Sequence, residues 1–396
     1  MEQHLPIPKE WNLNEKGILA FSGNVARPNE LASYVQRAEI EQLWTRDLNQ
    51  GAQSEASNFM HFVIGNLGQG KSISLLKINE MILTDYAEVL LPVVLTFVAE
   101  DTLRPRDFLF RLLAQIDYAG LAKRFQSSDL DKAIKRIPSG YEESQTLMNN
   151  LLLPQRSRAT NDTFFPELQW TQAVADETHR AAHRYFLGQS VTQKELRLLG
   201  LSHRLDSEEA AWKHITAIRW VLGGLGYSAV VMLVDEFEYL FSLVSRNRRP
   251  QYVALLRRLF DSSSSGPFMA GLNSFFAISA EGWQQLTDLP TYEVRSAGPT
   301  QALQRRLSSS TLTNLESQQT RALIEKRLQT GRERPAGPEE AYSPFTADFL
   351  GFVQEQTMGI PGDIVKFCHN VLSAGRSRQI AQLDKAFAIR VIAERS

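Results

Sequence analysis

The sequence predicts an α/β protein: a parallel sheet built around a phosphate-binding loop, with a helical insertion, followed by a small all-α domain. Three observations predict it. Short apolar runs of strand length alternate with helical patterns between Phe59 and Ser279. The first run ends in a glycine-rich loop that opens a helix, and a later one ends in two acids. After about Gly298 the strand-like runs stop and the pattern is helical.

The elements follow in order. Ala26 to Trp44 reads as a helix, with Pro28 near its start and Leu31, Tyr34, Val35, Ala38 and Leu43 at near-helical spacing. Gly51 to Asn58 is a small-polar loop. Phe59 to Gly65 is a short buried strand and Lys71 to Leu83 a helix, with Leu75, Ile78 and Ile82 on one face. Leu91 to Ala99 is the second strand. The stretch from Thr102 to about Arg219 is mostly helical and long for one crossover, so residues 120–201 are read as an insertion.

Glu208 to Leu222 is an amphipathic helix, and Ala229 to Glu236 a third strand. Arg249 to Phe260 is helical and leads into the Ser262 to Pro267 loop. Ser274 to Ser279 is a fourth strand. Glu316 to Leu328 and Pro344 to Ile392 are helical, with the linker GRERPAGPEE between them. The expected domains are a lead-in and helix over 1–57, the α/β core over 58–298, and a helical domain over 299–396.

Composition narrows the function classes. The chain has 396 residues, 43 Lys and Arg against 44 Asp and Glu, and a formal net charge of −1. Hydrophobic residues make up 43% and charged residues 22%, which fits a globular protein and excludes a wholly disordered chain or a uniformly basic one. Nucleic-acid binding would need a local basic patch. The single cysteine, Cys368, excludes an intramolecular disulfide and a cysteine-rich metal cluster. No apolar run reaches membrane-spanning length and the N-terminus has no secretory pattern, so a cytoplasmic location with no membrane partner is expected.

Gly65, Asn66, Leu67, Gly68, Gln69, Gly70, Lys71 and Ser72 spell G-x-x-x-x-G-K-S, the Walker A pattern. Glycines let backbone N–H groups close around phosphates, and the following helix turns its positive end to them. Lys71 is expected to reach the β- and γ-phosphates of ATP and Ser72 to ligate Mg2+. Val230 to Val234 is an apolar strand that delivers Asp235 and Glu236, the Walker B pattern. Asp235 is assigned to Mg2+ and Glu236 to the attacking water.

Two more parts are expected of such an ATPase. A polar residue at the end of the next strand would sense the γ-phosphate; Ser279 is the first candidate and Asn273 the second, with a simple strand-end cap the competing explanation. An arginine from a neighbouring subunit would complete the site. Arg257 and Arg258 are candidates, as are Arg305 and Arg306.

With these motifs the chain resembles the AAA+ superfamily and, within it, the origin-recognition (Orc/Cdc-type) ATPases. The resemblance covers most of the chain, from Arg27-Pro28-Asn29-Glu30 and Tyr34-Val35-Gln36-Arg37 through both Walker motifs and the strand near Ser279 to the helical C-terminal lid. A narrower resemblance is to the ATP-binding proteins of BREX-type phage-defence systems. It rests on Arg184-Tyr185-Phe186-Leu187-Gly188, Leu198-Leu199-Gly200-Leu201, and Gly226-Tyr227 leading to Val234-Asp235-Glu236-Phe237-Glu238. The resemblance implies ATP-dependent self-assembly, often on duplex DNA, with other defence proteins as partners. The family's lid carries a G-x-P-R arginine. Here the stretch reads Gly359-Ile360-Pro361-Gly362, so glycine stands in the arginine's place, with Lys366 one turn on as the substitute. The chain ends soon after the lid, so a DNA-binding winged helix is not expected.

Weaker signals have plainer explanations. Arg246, Arg248, Arg249, Arg257 and Arg258 form one basic cluster, and Arg305, Arg306, Arg321, Lys326, Arg327, Arg332 and Arg334 another. Each is either a phosphate-contacting patch or a solvated face. His179 and His183 lack the Glu of a zinc motif. Cys368-His369, Trp212 and Trp220 read as packing. The function expected is an ATP-hydrolysing regulator or loader in prokaryotic phage defence. The alternatives are a transposition-type regulatory ATPase and a nucleotide-stabilised scaffold with little turnover.

Overall fold

The computed structural model describes residues 6–22, 28–53, 59–97, 104–153, 172–239, 249–261, 268–287 and 307–394. In chain order come α1 (Glu15–Leu19), α2 (Ala38–Gln53), β1 (Met60–Ile64), α3 (Lys71–Asp85) and β2 (Leu90–Thr96). A helical stretch follows: α4 (Pro105–Gln115), α5 (Tyr118–Arg124), α6 (Ser127–Ile134), α7 (Glu142–Leu152), α8 (Gln172–Phe186), α9 (Gln193–Leu199) and α10 (Glu208–Gly224). Then come β3 (Ala229–Asp235), α11 (Arg249–Asp261), β4 (Gly271–Ile278), α12 (Ala280–Thr287) and β5 (Leu307–Thr311). The lid helices are α13 (Ser317–Gln329), α14 (Ala347–Thr357), α15 (Pro361–Ser377) and α16 (Lys385–Ala393).

The strands form one sheet in the order β2-β3-β4-β1-β5. β2, β3 and β4 pair in parallel, with Thr96 opposite Asp235 and Ala229 opposite Gly271. Every residue of β4, and every residue of β3 before Asp235, is buried. That is why β3 up to Val234, and β4 from Phe275 on, read as continuous apolar runs and not as alternating ones. The chain divides into two compact units, one of residues 1–43, 63–78 and 310–396, the other of 44–62 and 79–309; the division passes through β1 and β5.

In the second unit the helical insertion packs on α10, which lies against α4, α6 and α7. A buried polar knot fastens it. His214 of α10 has Nδ1 2.9 Å from the Ser144 hydroxyl of α7 and Nε2 3.1 Å from the Tyr185 hydroxyl of α8. Burial pushes His214 down to about 4, which keeps the ring neutral at physiological pH. Of the residues of the narrower family resemblance, Tyr185 is part of this knot and the Phe186 ring packs 6.1 Å from that of His214. Tyr185, Phe186, Leu199, Leu201 and Tyr227 are buried. Gly200 closes α9 at φ +71°, with the Leu201 N–H reaching back to the Leu196 carbonyl.

In the first unit Trp11, Leu13, Ile18 and Phe21 join Leu323, Phe349, Val353, Cys368 and Phe387 in one core. The N-terminal segment is therefore part of the lid's interior. Gly331 allows this closeness: a Cβ there would stand 2.0 Å from the Gly17 Cα.

Two expectations change. A strand does follow Gly298: β5, whose Leu-Ser-Ser-Ser-Thr sequence carries almost no apolar signal. The helix expected over 26–44 is instead a 3-10 turn over Pro28–Ser33 and then α2, which runs on through Gly51. Tyr34 to Arg37 stays non-helical because the Glu41 carboxylate accepts both the Tyr34 hydroxyl (2.9 Å) and the Arg37 N–H (3.0 Å). Residues 54–58 and 262–267, and the expected boundary near Pro299, lie outside the described residues.

Asp47 of α2 ties this helix to the sheet. Its Oδ2 lies 2.7 Å from His61 Nδ1 on β1 and accepts the Ser308 hydroxyl of β5 at 2.7 Å. Burial works to raise this carboxyl, but hydrogen bonds from His61, Ser308 and Arg46 outweigh it and hold it below the usual carboxylate range. A depressed folded-state value contributes stability above the unfolded value near 3.9, and the contribution is lost as pH falls through the folded value. Asp47→Asn is expected to cost about 1–3 kcal/mol at neutral pH. Melting curves of the variant should lose the acid-dependent fall of the wild type below about pH 4. An equally steep acid limb in both proteins would remove Asp47 from this account.

Candidate nucleotide-binding site

β1 is buried along its whole length, apolar but for His61, and it delivers the chain at Gly65, which is itself buried. The loop then needs backbone that only glycine adopts cheaply: Gly68 has φ +80° and Gly70 φ +94°. Lys71 opens α3, is 9% exposed, and bends back so that Nζ donates to the Gly65 carbonyl at 3.1 Å. Ser72 follows, half-buried, in the first turn of α3. Two left-handed glycines, a helix N-terminus and a buried ammonium at one bend are the features that fit a polyphosphate.

The loop is held from three sides. The Gln69 side chain accepts the Asn66 N–H at 2.6 Å and donates to Asn314 Oδ1 at 2.9 Å. The Gln69 carbonyl accepts Arg37 Nη2 at 3.0 Å. The Gly68 carbonyl accepts the Gly362 N–H at 2.8 Å. Leu67 stands out from the loop, 92% exposed. The supporting roles of Arg37, Asn314 and Gly362 escaped the sequence reading, since their partners lie 32 to 294 positions away. The only signals were the Tyr-Val-Gln-Arg stretch and the missing lid arginine.

In the second unit, β3 ends at Asp235, half-buried, whose Oδ1 accepts the Glu236 N–H at 2.9 Å. Glu236 sits at φ +55°, a left-handed conformation that is uncommon for a non-glycine residue. The kink is anchored behind it. Phe237 is buried, its N–H donates to the Ala277 carbonyl at 3.1 Å, and its ring packs 4.4 Å from that of Phe276. Strain held at the acid that follows the strand is the kind of feature that clusters at functional sites.

The sensor candidates separate. Ser279 follows β4, and its hydroxyl oxygen accepts the Gly282 N–H at 3.0 Å, capping α12 and leaving the hydroxyl proton to donate elsewhere. Asn273 lies inside β4 opposite Val231, fully buried, and its carbonyl accepts the Phe59 N–H at 3.0 Å. It staples two strands and does not stand at the strand end as expected.

The arginines also separate. Arg258 pairs with Glu208 and Glu209, each at 3.3 Å, and lies over the Trp212 ring at 4.6 Å. Arg257, about half exposed, pairs with Asp261 at 3.3 Å. Both are thus engaged by their own chain. Arg246, Arg248, Arg305 and Arg306 lie outside the described residues. Three members of the second basic cluster are structural. Lys326 donates to the Tyr34 carbonyl at 2.7 Å, Arg327 to the Ala20 carbonyl, and Arg332 to the carbonyls of Trp11, Glu340 and Ala341.

The remaining signals resolve as packing. His179 Nε2 meets the Leu151 carbonyl at 3.1 Å, and His183 is exposed. Cys368 is fully buried, and burial pushes its thiol up. Among the described residues no group of three or more His, Cys, Asp or Glu is placed to hold a metal ion, and no helix is long and apolar enough to cross a membrane.

Residues 168–330 match the family model of the BREX system ATP-binding protein BrxC/D. The chain is similar to the ORC2 protein of Aeropyrum pernix in its ADP form, at 12% identity over 95% of this chain and 72% of that one, with a TM-score of 0.50. It is also similar to Drosophila ORC bound to DNA, at 11% identity, 100% and 70% coverage and a TM-score of 0.49. A Cdc6p from Pyrobaculum aerophilum gives 10% identity, 88% and 66% coverage and a TM-score of 0.38. No curated protein matches the sequence. The fold is an α/β P-loop core of the AAA+ type with a helical lid, similar to the fold of that ORC2 protein. Over residues 168–330 the chain resembles the ATP-binding proteins of BREX systems.

Proposed function

We propose that this chain binds ATP with Mg2+, hydrolyses it, and works as a self-assembling cytoplasmic regulator or loader in prokaryotic phage defence. The observation that carries the reading is the phosphate loop itself: Lys71 buried at the start of α3, behind two left-handed glycines. Backbone N–H groups from Gly65 to Ser72 receive the phosphates, with Lys71 reaching the β- and γ-oxygens. Ser72 and Asp235 would hold Mg2+, whose charge would offset that of those oxygens. Glu236 takes the proton of the attacking water, and Ser279 offers its hydroxyl to the γ-phosphate. The three proposed domains are the lead-in over 1–57, the core over 58–298 and the lid over 299–396.

Duplex DNA and other defence proteins are the proposed partners. The DNA contact is assigned away from Lys326, Arg327 and Arg332, whose donors serve backbone carbonyls within the chain. Arg246, Arg248 and Arg249 remain as candidates for it. Of Arg257 and Arg258, Arg257 is the better placed arginine-finger candidate, being held by one carboxylate and not two.

A second reading, a nucleotide-stabilised scaffold with little turnover, is favoured by the glycine in place of the lid arginine. The test is ATP turnover by the purified chain with and without duplex DNA. Turnover raised several-fold by DNA is the expected result. Measurable ATP binding with no turnover in either condition would select the scaffold.

A further inference from the structure

The lid and the phosphate loop meet through main chain. α15 starts at Pro361, so Gly362 is its second residue, and its N–H has no partner within the helix. A side chain at the residue before the helix usually supplies that acceptor. Here the position is Ile360, which supplies none. The Gly68 carbonyl takes its place, accepting the Gly362 N–H at 2.8 Å. A phosphate-loop peptide thus caps a lid helix.

The approach leaves no room for a side chain on Gly362. A Cβ on Gly362 would stand 2.8 Å from the Gly68 Cα and 3.3 Å from its carbonyl oxygen; a Cβ on Gly68 would stand 3.4 Å from the Gly362 Cα. The turn that presents Gly362 is itself fixed. Met358 and Gly359 are both left-handed, at φ +49° and +74°, and the Gly359 carbonyl accepts the Leu315 N–H at 2.7 Å. Gln354 Nε2 donates to the Leu315 carbonyl at 2.9 Å. Leu315 follows Asn314, which holds Gln69 of the same loop. Two adjacent loop residues are therefore tied to one rigid corner of the lid.

We propose that Gly362 is a positioning residue for nucleotide: its backbone N–H sets the phosphate loop from the lid, replacing the side-chain link an arginine would make. The proposal rests on the nucleotide-binding reading above. Its consequence runs against the family pattern. Restoring an arginine at this position should weaken nucleotide binding, because the Cβ drives the lid off Gly68 before any guanidinium can reach a phosphate.

The experiment uses the full chain with ADP·Mg2+ as the probe in calorimetry. Gly362→Ala and Gly362→Arg are both expected to weaken binding about tenfold. Gly351→Ala, on α14 of the same lid with open space around its Cβ, should bind as wild type does. Hydrogen exchange in the nucleotide-free proteins gives a readout independent of binding: peptides covering 65–71 should exchange faster in Gly362→Ala and not in Gly351→Ala. Tighter binding in Gly362→Arg, or unchanged binding and exchange in Gly362→Ala, would overturn the proposal. A wild type that binds no nucleotide would remove the nucleotide reading, and faster exchange in Gly362→Ala would still show that Gly362 sets the loop.

Discussion

Glu236→Gln is expected to bind ATP within about twofold of wild type and to hydrolyse it about 10²–10³-fold more slowly. The substitution keeps the side chain's length and shape, so the left-handed backbone at φ +55° bears the same steric load before and after. It removes only the negative charge and the ability to take a proton. Asp235 keeps its bond to the residue-236 N–H, since that contact is main chain to side chain and indifferent to the change. Single-turnover hydrolysis with binding measured in parallel separates the two effects. Loss confined to the chemical step marks a group that acts in the transition state. Turnover equal to wild type would sink the assignment of Glu236 as base.

What could be read from the sequence follows from the range of the forces involved. β1, β3 and β4 were legible because burial on both faces leaves short runs that are mostly apolar, broken only by His61 in β1 and by Asn273 and Ser274 in β4. The phosphate loop was legible because local backbone geometry demands glycine at Gly68 and Gly70. β5 was not, because an edge strand of Leu-Ser-Ser-Ser-Thr is specified by its neighbours: Ser308 bonds to Asp47 and Leu312 N–H to the Ile64 carbonyl. The start of α2 was misplaced for a similar reason, with Arg37 drawn to Gln69.

Charge was the least legible property. Lys326, Arg327 and Arg332 look like a nucleic-acid patch in one dimension, yet their acceptors are the carbonyls of Tyr34, Ala20 and Trp11, roughly 300 positions away. Arg258 likewise faces Glu208 and Trp212 of its own chain. A cluster of cations signals a phosphate partner only where no internal acceptor claims it, and that is a property of the fold.

Lys71→Ala should abolish the rise in melting temperature that millimolar ATP·Mg2+ gives the wild type. A ligand at 100 times its Kd stabilises by about 2.7 kcal/mol, so a hundredfold loss of affinity removes nearly all of the shift. Two contributions act together. The ammonium is the buried positive charge of the loop, and Nζ also holds the Gly65 carbonyl where the strand gives way to the loop. Loss of that second contact alone predicts a modest fall in nucleotide-free stability, about 1.5–3 kcal/mol for a hydrogen bond from a charged donor. Lys71→Arg separates the two. It keeps the charge but places a planar fork where a compact ammonium sits 3.1 Å from a carbonyl. If charge alone governs binding, Lys71→Arg keeps most of the ATP-induced shift. If the ammonium must also fit beneath Gly65, both variants lose it, and only the second outcome agrees with a lysine that the fold leaves 9% exposed.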